Sequence, residues 1–477
     1  MFFRAPNLQR TGAHRGKPLA QKAAKLVYAS ALTVFVAACS SEGRVVNIDI
    51  TVGHETNAMT VSPPVENVVV KGVPCASCTA DAIQAEAAPG GTLDFGEVDE
   101  TAAYTFEVTG FDASNNPVLR GRSLGGIVLG QLASDTFSVF AQRLGGWSRP
   151  PGSIGRTHME APTVTVGERY LFLTGGNPGS DATQIEEYDL LSWAGIQGTE
   201  TFPFAAQTLW SDISAVLALG APNTDEAVQL DADGFFAPAL PADLTSFGEV
   251  AGGSVVTSPN RVFIVGASRP DSPTDAVLDI DLTNENAVTV RRLNSPRAGA
   301  TAAWLADVGL VVIGGSNTAP GVEVLAESAA KFAIRDFPPD PTVGAAATRG
   351  SVETLLLVMG GTNGGAPANT RAIDPRCTSA CAGEDLPNLT LPVALRRTAA
   401  FFADTGKLIV VGDETEGDGL TRTFLLDDLK NTLVEMPLRE PRKGASSVAT
   451  PNGALALWGG SHPDGSPALT VEMFFPE

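Results

Sequence analysis

A short apolar run that ends in one or two glycines occurs seven times in the C-terminal two thirds of this chain. The run Leu310–Gly315 is typical, and the related runs are Leu171–Gly176, Val216–Gly220, Val262–Gly266, Leu355–Gly361, Leu408–Gly412 and Leu455–Gly460. The last glycines are separated by 44, 46, 49, 46, 51 and 48 residues. A recurring unit of this length indicates a repeat architecture, in which each unit forms one small element that packs against its neighbours.

Further strands can be placed on both sides of each glycine-terminated run. Small residues precede the glycines, as in Ala300–Ala303 and Thr398–Ala400, and they are typical of an innermost strand at a crowded axis. Four of these strands open with an arginine, whose recurrence indicates a structural role such as pairing between repeats: Arg156, Arg297, Arg397 and Arg442. Another strand follows the glycines, and most copies close on an aspartate that suits a tight turn: Glu186–Asp189, Val228–Asp231, Val277–Asp281, Val322–Leu325, Thr370–Asp374, Phe424–Asp427 and Val471–Phe475.

These features resemble the kelch family, through the paired glycines, the Glu-x-Tyr-Asp strand at Glu186–Asp189 and a repeat of about 47 residues. The resemblance covers Gly146–Glu477. It implies an all-β fold with a seven-bladed β-propeller over residues 144–477, in which four-stranded blades surround a channel. The last repeat stops after its third strand, so we expect Phe137–Trp147 to supply the outer strand that closes the ring.

The segment 45–143 is expected to form a separate all-β module. Tyr104–Thr109 alternates apolar and polar residues, which predicts a strand with one buried face. Asp112–Pro117 is a turn cluster, and Val118–Arg122 is expected to return as the hairpin partner of that strand. The spacing of the short strands predicts a small immunoglobulin-like β-sandwich, with the role of a spacer or an adhesive domain.

Residues 1–38 have the form of an export signal. Six Lys and Arg residues precede the apolar run Leu26–Ala38, whose 13 residues are too few for a membrane span of about 20. Val36–Cys39 resembles the lipobox of bacterial lipoproteins, which implies cleavage before Cys39, acylation of that cysteine and a lipidated tether over 39–44. Ser40 then favours the outer membrane, by resemblance to enterobacterial sorting. The alternative is an ordinary signal peptide that ends beside a cysteine.

The remaining four cysteines form two close pairs in sequence, and an exported protein meets an oxidising compartment. We therefore expect local disulfides between Cys75 and Cys78 and between Cys377 and Cys381. Two alternatives stay open from the residues alone. One is a zinc site that joins both pairs, and the other is a redox-active Cys-Ala-Ser-Cys motif.

Charge and residue usage exclude several classes of function. After residue 38 the chain has 26 basic and 53 acidic residues, a net charge of −27. An acidic surface repels nucleic acid and anionic headgroups, so we expect no nucleic-acid partner and no membrane contact beyond the lipid anchor. The three histidines after Cys39 (His54, His158 and His462) nearly exhaust the ligands that a copper oxidase would need. No catalytic residue, metal or cofactor is predicted.

Polar residues follow the glycines in the repeats, and the propeller fold would gather these loops on one face. The candidate binding residues are Asn177, Arg269, Asn317, Asn363, Asp413 and His462, each of which could also be an ordinary turn residue. The sequence thus favours a non-catalytic, lipid-anchored envelope protein whose propeller is a platform for an unidentified protein or glycan. The alternative is a secreted carbohydrate-active or galactose-oxidase-like enzyme that uses the same face.

Overall fold

A computed structural model describes residues 47–96, 98–132, 134, 136–177, 181–212, 214–220, 226–284, 286–352, 355–402 and 407–476. The predicted signal peptide (1–38), Cys39 and the rest of the predicted tether (to residue 44) lie outside these ranges. Within them the fold is all-β, with 35 strands and four short 3-10 helices at Leu129–Gln131, Phe247–Glu249, Gly266–Ser268 and Pro387–Leu389. No helix in the described ranges has the length and apolar character needed to cross a membrane.

The first seven strands form one sheet in the order β1-β7-β5-β4-β2-β3, with β6 also paired to β4. Their bounds are β1 (Asn47–Thr51), β2 (Asn67–Pro74), β3 (Ile83–Ala87), β4 (Ala103–Phe111), β5 (Pro117–Arg122), β6 (Ile127–Val128) and β7 (Thr136–Arg143). The predicted hairpin is present, since β4 pairs antiparallel with β5. The predicted immunoglobulin-like sandwich is not confirmed, because the strands form a single half-barrel sheet rather than two facing sheets.

The other 28 strands form seven sheets, which are the blades of a β-propeller. The innermost strands are β8 (Thr163–Val166), β12 (Thr208–Ser211), β16 (Ser254–Thr257), β20 (Thr301–Leu305), β24 (Val343–Arg349), β29 (Leu395–Phe402) and β33 (Ser446–Ala449). The second strands are β9 (Tyr170–Leu173), β13 (Val216–Leu219), β17 (Arg261–Val265), β21 (Gly309–Ile313), β25 (Leu356–Asn363), β30 (Lys407–Glu414) and β34 (Leu455–Trp458). Each second strand runs antiparallel to the inner strand before it.

The third strands are β10 (Gln184–Asp189), β14 (Ala227–Asp231), β18 (Thr274–Asp281), β22 (Val322–Leu325), β27 (Arg371–Ile373), β31 (Thr421–Asp427) and β35 (Glu472–Phe474). Six blades have an outer strand of their own: β11 (Ala194–Thr201), β15 (Gly234–Phe236), β19 (Ala287–Arg297), β23 (Ala333–Arg335), β28 (Glu384–Asp385) and β32 (Thr432–Glu435). The short strand β26 (Ala366–Pro367) extends β25 of blade 5.

The continuous apolar runs of the second strands follow from their position between two blades. In β21, Leu310 and Val312 pack into the core towards blade 3, whereas Val311 and Ile313 pack into the core towards blade 5. All four side chains are at most 1% exposed. Because successive side chains of a strand point to opposite faces, a strand that is covered on both faces reads as an unbroken apolar run.

The ring closes through the chain that precedes blade 1. The backbone N–H of Ser148 donates to the carbonyl of Met473 in β35 at 3.0 Å, and the N–H of Met473 donates back to Ser148 at 2.7 Å. The expected closure by an N-terminal segment is therefore present, but the predicted segment is wrong. Most of Phe137–Trp147 belongs to β7 in the first sheet, and only the chain around Ser148 covers the edge of blade 7.

The paired glycines let neighbouring blades approach each other closely. A Cβ atom on Gly175, whose φ is +84°, would lie 1.9 Å from the carbonyl oxygen of Ala206 in the segment that leads into blade 2. The N–H of Gly176 then donates to that carbonyl at 3.0 Å. At the seam of the ring, the N–H of Gly460 in blade 7 makes the same bond to His158, before blade 1, at 2.9 Å. Glycine is thus required where one blade meets the next.

The N-terminal sheet packs on the propeller beside this seam. Phe140 of β7 lies 5.4 Å from Trp193 of blade 1 and 6.5 Å from Phe475 at the end of blade 7, measured between ring centroids. The indole N–H of Trp193 donates to the carbonyl of Ser138 at 3.0 Å. One apolar cluster includes residues of the sheet and of both blades, so the sheet covers the seam.

Candidate functional site

Buried carboxylates hold the recurring arginines in place, on the third strand in blades 1, 4 and 7 and on the second strand, through Asp413, in blade 6. Glu186 accepts hydrogen bonds from the backbone of Gly155 at 2.9 Å and from the side chain of Arg156 at 3.0 Å. Glu323 holds Arg297 in blade 4 in the same way, at 3.0 Å. Each arginine pairs with a carboxylate of its own blade. The suggested pairing between repeats is therefore wrong. The recurring arginines have the structural role that their recurrence indicates.

Burial dominates the electrostatics of these pairs. In blade 7, Glu472 accepts from Arg442 at 3.1 Å, and neither side chain is exposed. Desolvation raises the pKa of Glu472 against the attraction of Arg442, and it lowers the pKa of Arg442 against the attraction of Glu472. These groups are enclosed by the blade and offer no surface to a ligand.

A ring of residues with left-handed backbone lies at the start of five inner strands. They are Glu160, Gly299, Gly344, Arg397 and Gly444, with φ values of +57°, +72°, +72°, +52° and +63°. Each directly follows the residue whose carbonyl faces the last glycine of its own blade. The N–H of Glu160 donates to Gly444 at 2.7 Å, and that of Gly344 donates to Gly299 at 2.8 Å, so the ring links adjacent blades. We call these five residues the collar.

Two collar positions carry charged side chains where the other three carry glycine. A left-handed backbone costs an L-residue roughly 1–2 kcal/mol, whereas glycine adopts it freely. Glu160 and Arg397 are therefore strained, and strained residues of this kind concentrate at binding and catalytic sites. The collar thus points to blades 1 and 6 as the part of the ring to examine for function.

Ion pairs connect these charged residues across the collar. Glu160 of blade 1 accepts a hydrogen bond from Arg396 of blade 6 at 2.5 Å. This ion pair connects two blades that have blade 7 between them. Burial acts to raise the pKa of Glu160, but the hydrogen bond and charge of Arg396, with smaller contributions from Arg397 and Asn177, lower that pKa below its usual value. Arg397 donates to the buried Asp413 at 2.9 Å. The side chains of Arg396 and Arg397 remain 46% and 32% exposed.

A cavity of about 570 Å³ begins at this group and extends along the channel. Arg397 and Asp413 line it, as do Ala161 and Ala445, which directly follow the collar residues Glu160 and Gly444. Its wall comes from inner strands of blades 1, 2, 3, 6 and 7, and it includes the side chains of Thr163, Thr165, Trp210, Ser211, Thr257 and Ser447. We call the collar charges and the adjoining cavity the channel mouth. Its walls combine apolar side chains with a small set of polar and charged groups, which suits the binding of a small ligand.

The predicted loop residues fall into three groups. Asn177 and Asp413 lie at the channel mouth, where Asn177 hydrogen-bonds Glu160 and Asp413 holds Arg397. Asn317 and Asn363 are exposed, and His462 is partly exposed with Nδ1 3.3 Å from the carbonyl of Pro441. Arg269 is only 6% exposed and donates to the carbonyl of Gly248 at 2.5 Å. Its guanidinium thus supports the loop that precedes blade 3.

Sequence reasoning missed Glu160 and Arg396, and it assigned Arg397 to structure alone. A signal for the collar was present in the repeat. The collar residues precede the last glycines of their blades by 16, 16, 17, 15 and 16 residues in blades 1, 4, 5, 6 and 7. An alignment of the repeats on those glycines, with a shift of one residue in blades 5 and 6, would place Glu160 and Arg397 opposite Gly299, Gly344 and Gly444.

The two predicted disulfides are confirmed. Bonds join Cys75 to Cys78 and Cys377 to Cys381, with Cα–Cα distances of 5.1 and 5.7 Å. The thiolates that a zinc site shared by the two pairs would need are thus consumed. Among the described residues there is no group of three or more His, Cys, Asp or Glu placed to hold a metal ion.

No family model matches this chain, and no curated protein matches it. The seven-bladed all-β architecture is a property of the structure itself. The kelch-like assignment of the blades stays a prediction from the residues.

Proposed function

We propose that this chain is a lipid-anchored envelope protein that presents a kelch-like propeller as a non-catalytic binding platform. The observation that carries the proposal is the channel mouth, where two strained charged residues and a half-exposed arginine adjoin a cavity of mixed polar and apolar lining. The ligand is a protein or glycan that contacts this face.

The anchor rests on the lipobox-like Val36–Cys39, with Cys39 as the acylated residue and the outer membrane as its destination. Seven residues lie between Cys39 and Asn47, the first residue of β1, and a chain of this length spans at most roughly 28 Å when extended. The half-barrel sheet then acts as a spacer that joins the tether to the seam of the ring.

Two measurements test the proposal. The substitution Cys39→Ala should abolish incorporation of a labelled fatty acid and release the protein from the membrane fraction.

For the platform, the lipidated protein is crosslinked in intact envelopes, and the adducts of wild type, Arg396→Gln and Arg376→Gln are compared. Arg376 is a matched control, since it is 43% exposed and paired with Asp374 away from the channel mouth. Adducts should weaken only in Arg396→Gln, and equal adducts in all three proteins would refute the platform.

A further inference from the structure

We propose that the channel mouth binds a saccharide that carries a carboxylate, as a uronic acid does, and that Glu160 is the built-in competitor for its carboxylate. The proposal rests on the proposed function and specifies the ligand of the same site. Three observations carry it: the disposition of Arg396, the chemistry of the cavity wall and the backbone of Glu160.

Arg396 is the residue that would receive the ligand carboxylate. Its guanidinium has five N–H donors, and the ion pair with Glu160 at 2.5 Å is made by one of its terminal nitrogens. The side chain is 46% exposed, so an anionic group from solvent can reach it. A guanidinium recognises a carboxylate through two parallel hydrogen bonds, which a neutral ligand cannot reproduce.

The cavity beside Arg397 favours a saccharide over other carboxylates. Residues with hydroxyl side chains line it from five blades, and they include Thr165, Thr257 and Ser447. Trp210 adds an indole, whose apolar face suits the C–H face of a sugar ring. The volume of about 570 Å³ lies within the roughly 300–1,000 Å³ typical of small-ligand sites.

Glu160 occupies the position that a ligand carboxylate would take on Arg396. Its left-handed backbone directs a carboxylate from blade 1 across blade 7. The equivalent collar residues of blades 4, 5 and 7 are glycines. An incoming carboxylate must therefore displace Glu160 from Arg396 or share the guanidinium with it. Glu160→Gln keeps the shape of the side chain and removes the competing charge.

The test is isothermal titration of the lipidated full-length protein in detergent with a trimer of galacturonic acid. Wild type should bind the trimer, and Glu160→Gln should bind it about two- to fivefold more tightly, as expected for removal of an exposed competing ion pair. Arg396→Gln should weaken binding at least about tenfold. Arg376→Gln should leave the affinity unchanged, and maltotriose, the neutral control, should not bind.

A tightening by Glu160→Gln separates this proposal from a purely structural ion pair, because loss of a structural pair has no reason to increase affinity. The near-ultraviolet circular dichroism of each variant confirms that it is folded.

Weaker binding by Glu160→Gln, equal binding of maltotriose, or binding of a short peptide with a free C-terminus in place of the trimer would each overturn the proposal. If the trimer does not bind but envelope crosslinking still depends on Arg396, the ligand class is wrong and the platform stands. If both results are negative, both proposals are wrong.

Discussion

Arg442 donates to Glu472 at 3.1 Å inside the last blade, and neither side chain has any exposed surface. Glu472 also accepts the backbone N–H groups of Arg439 and Glu440, at 2.7 and 2.9 Å. The pair therefore fixes the chain that leads into blade 7 against the third strand of that blade. Glu186 and Glu323 do the same in blades 1 and 4, so an acid and an arginine define how these blades begin.

Removing one partner of this pair should be far more harmful than removing both. Arg442→Met leaves a buried carboxylate without its counter-ion, which typically costs about 3–5 kcal/mol. The double variant Arg442→Met with Glu472→Leu has no unpaired charge and should recover a large part of that loss. Urea unfolding of the two variants and wild type, followed by tryptophan fluorescence, measures this. A double variant less stable than Arg442→Met would contradict the assignment.

The ion pair of Glu160 predicts a specific pH dependence. The folded protein lowers the pKa of this carboxyl below its ordinary value of 4.5, so the pair contributes stability above that pH. The contribution is lost as pH falls through the lowered pKa. Wild type should therefore melt at a higher temperature than Glu160→Gln at pH 7, and the difference should shrink progressively as the pH is lowered below 4.5. The exposed Glu107, paired with Arg122 at 3.8 Å, supplies the control Glu107→Gln, for which little change is expected at either pH.

The strain at the collar can be measured by a pair of substitutions at one position. Arg397→Gly and Arg397→Ala both remove the bond to Asp413, but only alanine retains the cost of the φ of +52°. The glycine variant should be more stable than the alanine variant by about 1 kcal/mol. The neighbouring Thr398 lies in β29 without a positive φ, so glycine there should be less stable than alanine. If the alanine variant were more stable than the glycine variant at both positions, the collar would be unstrained.

Trp147 should be the most sensitive residue of the closing segment. It is 1% exposed, its indole N–H donates to Thr423 Oγ1 at 2.9 Å, and its ring lies 5.7 Å from that of Phe474. Trp147→Ala should cost about 3–5 kcal/mol through the cavity and the lost hydrogen bond. Trp147→Phe keeps much of the packing and should cost less. Differential scanning calorimetry checks both predictions. If Trp147→Ala left the stability unchanged, the ring would close without this contact.

The repeat was the most predictable feature, because its cause is local. The spacing of Gly176, Gly315 and Gly460 reflects close backbone approach at every blade, and this requirement appears directly in the sequence. The alternation of Tyr104–Thr109 revealed one buried face, but it could not reveal what covers that face. Part of the answer is Phe95 and Phe137 of the same half-barrel, whose ring centroids lie 6.2 and 5.2 Å from that of Phe106. A strand of a single sheet on a propeller and a strand of a two-sheet sandwich therefore show the same alternating sequence pattern.

The candidate site was less predictable, because its residues act through relationships between blades. Arg269 reads as an exposed loop residue, yet a 3-10 turn at Gly266–Ser268 places its side chain against the carbonyl of Gly248. Glu160 and Arg396 belong to no motif, and they meet only because blade 7 brings the two ends of the ring together. Closure of the ring is thus what creates the channel mouth.

Hydrogen–deuterium exchange of the lipidated protein, with and without detergent-solubilised envelope material, tests most directly whether the channel mouth is the working surface. We expect slower exchange in the peptides that contain Glu160, Arg396 and Arg397, and Gly444, and we expect Arg396→Gln to lose that protection and Arg376→Gln to keep it. Protection confined to the N-terminal sheet or to the outer strands, with the collar peptides unchanged, would contradict it.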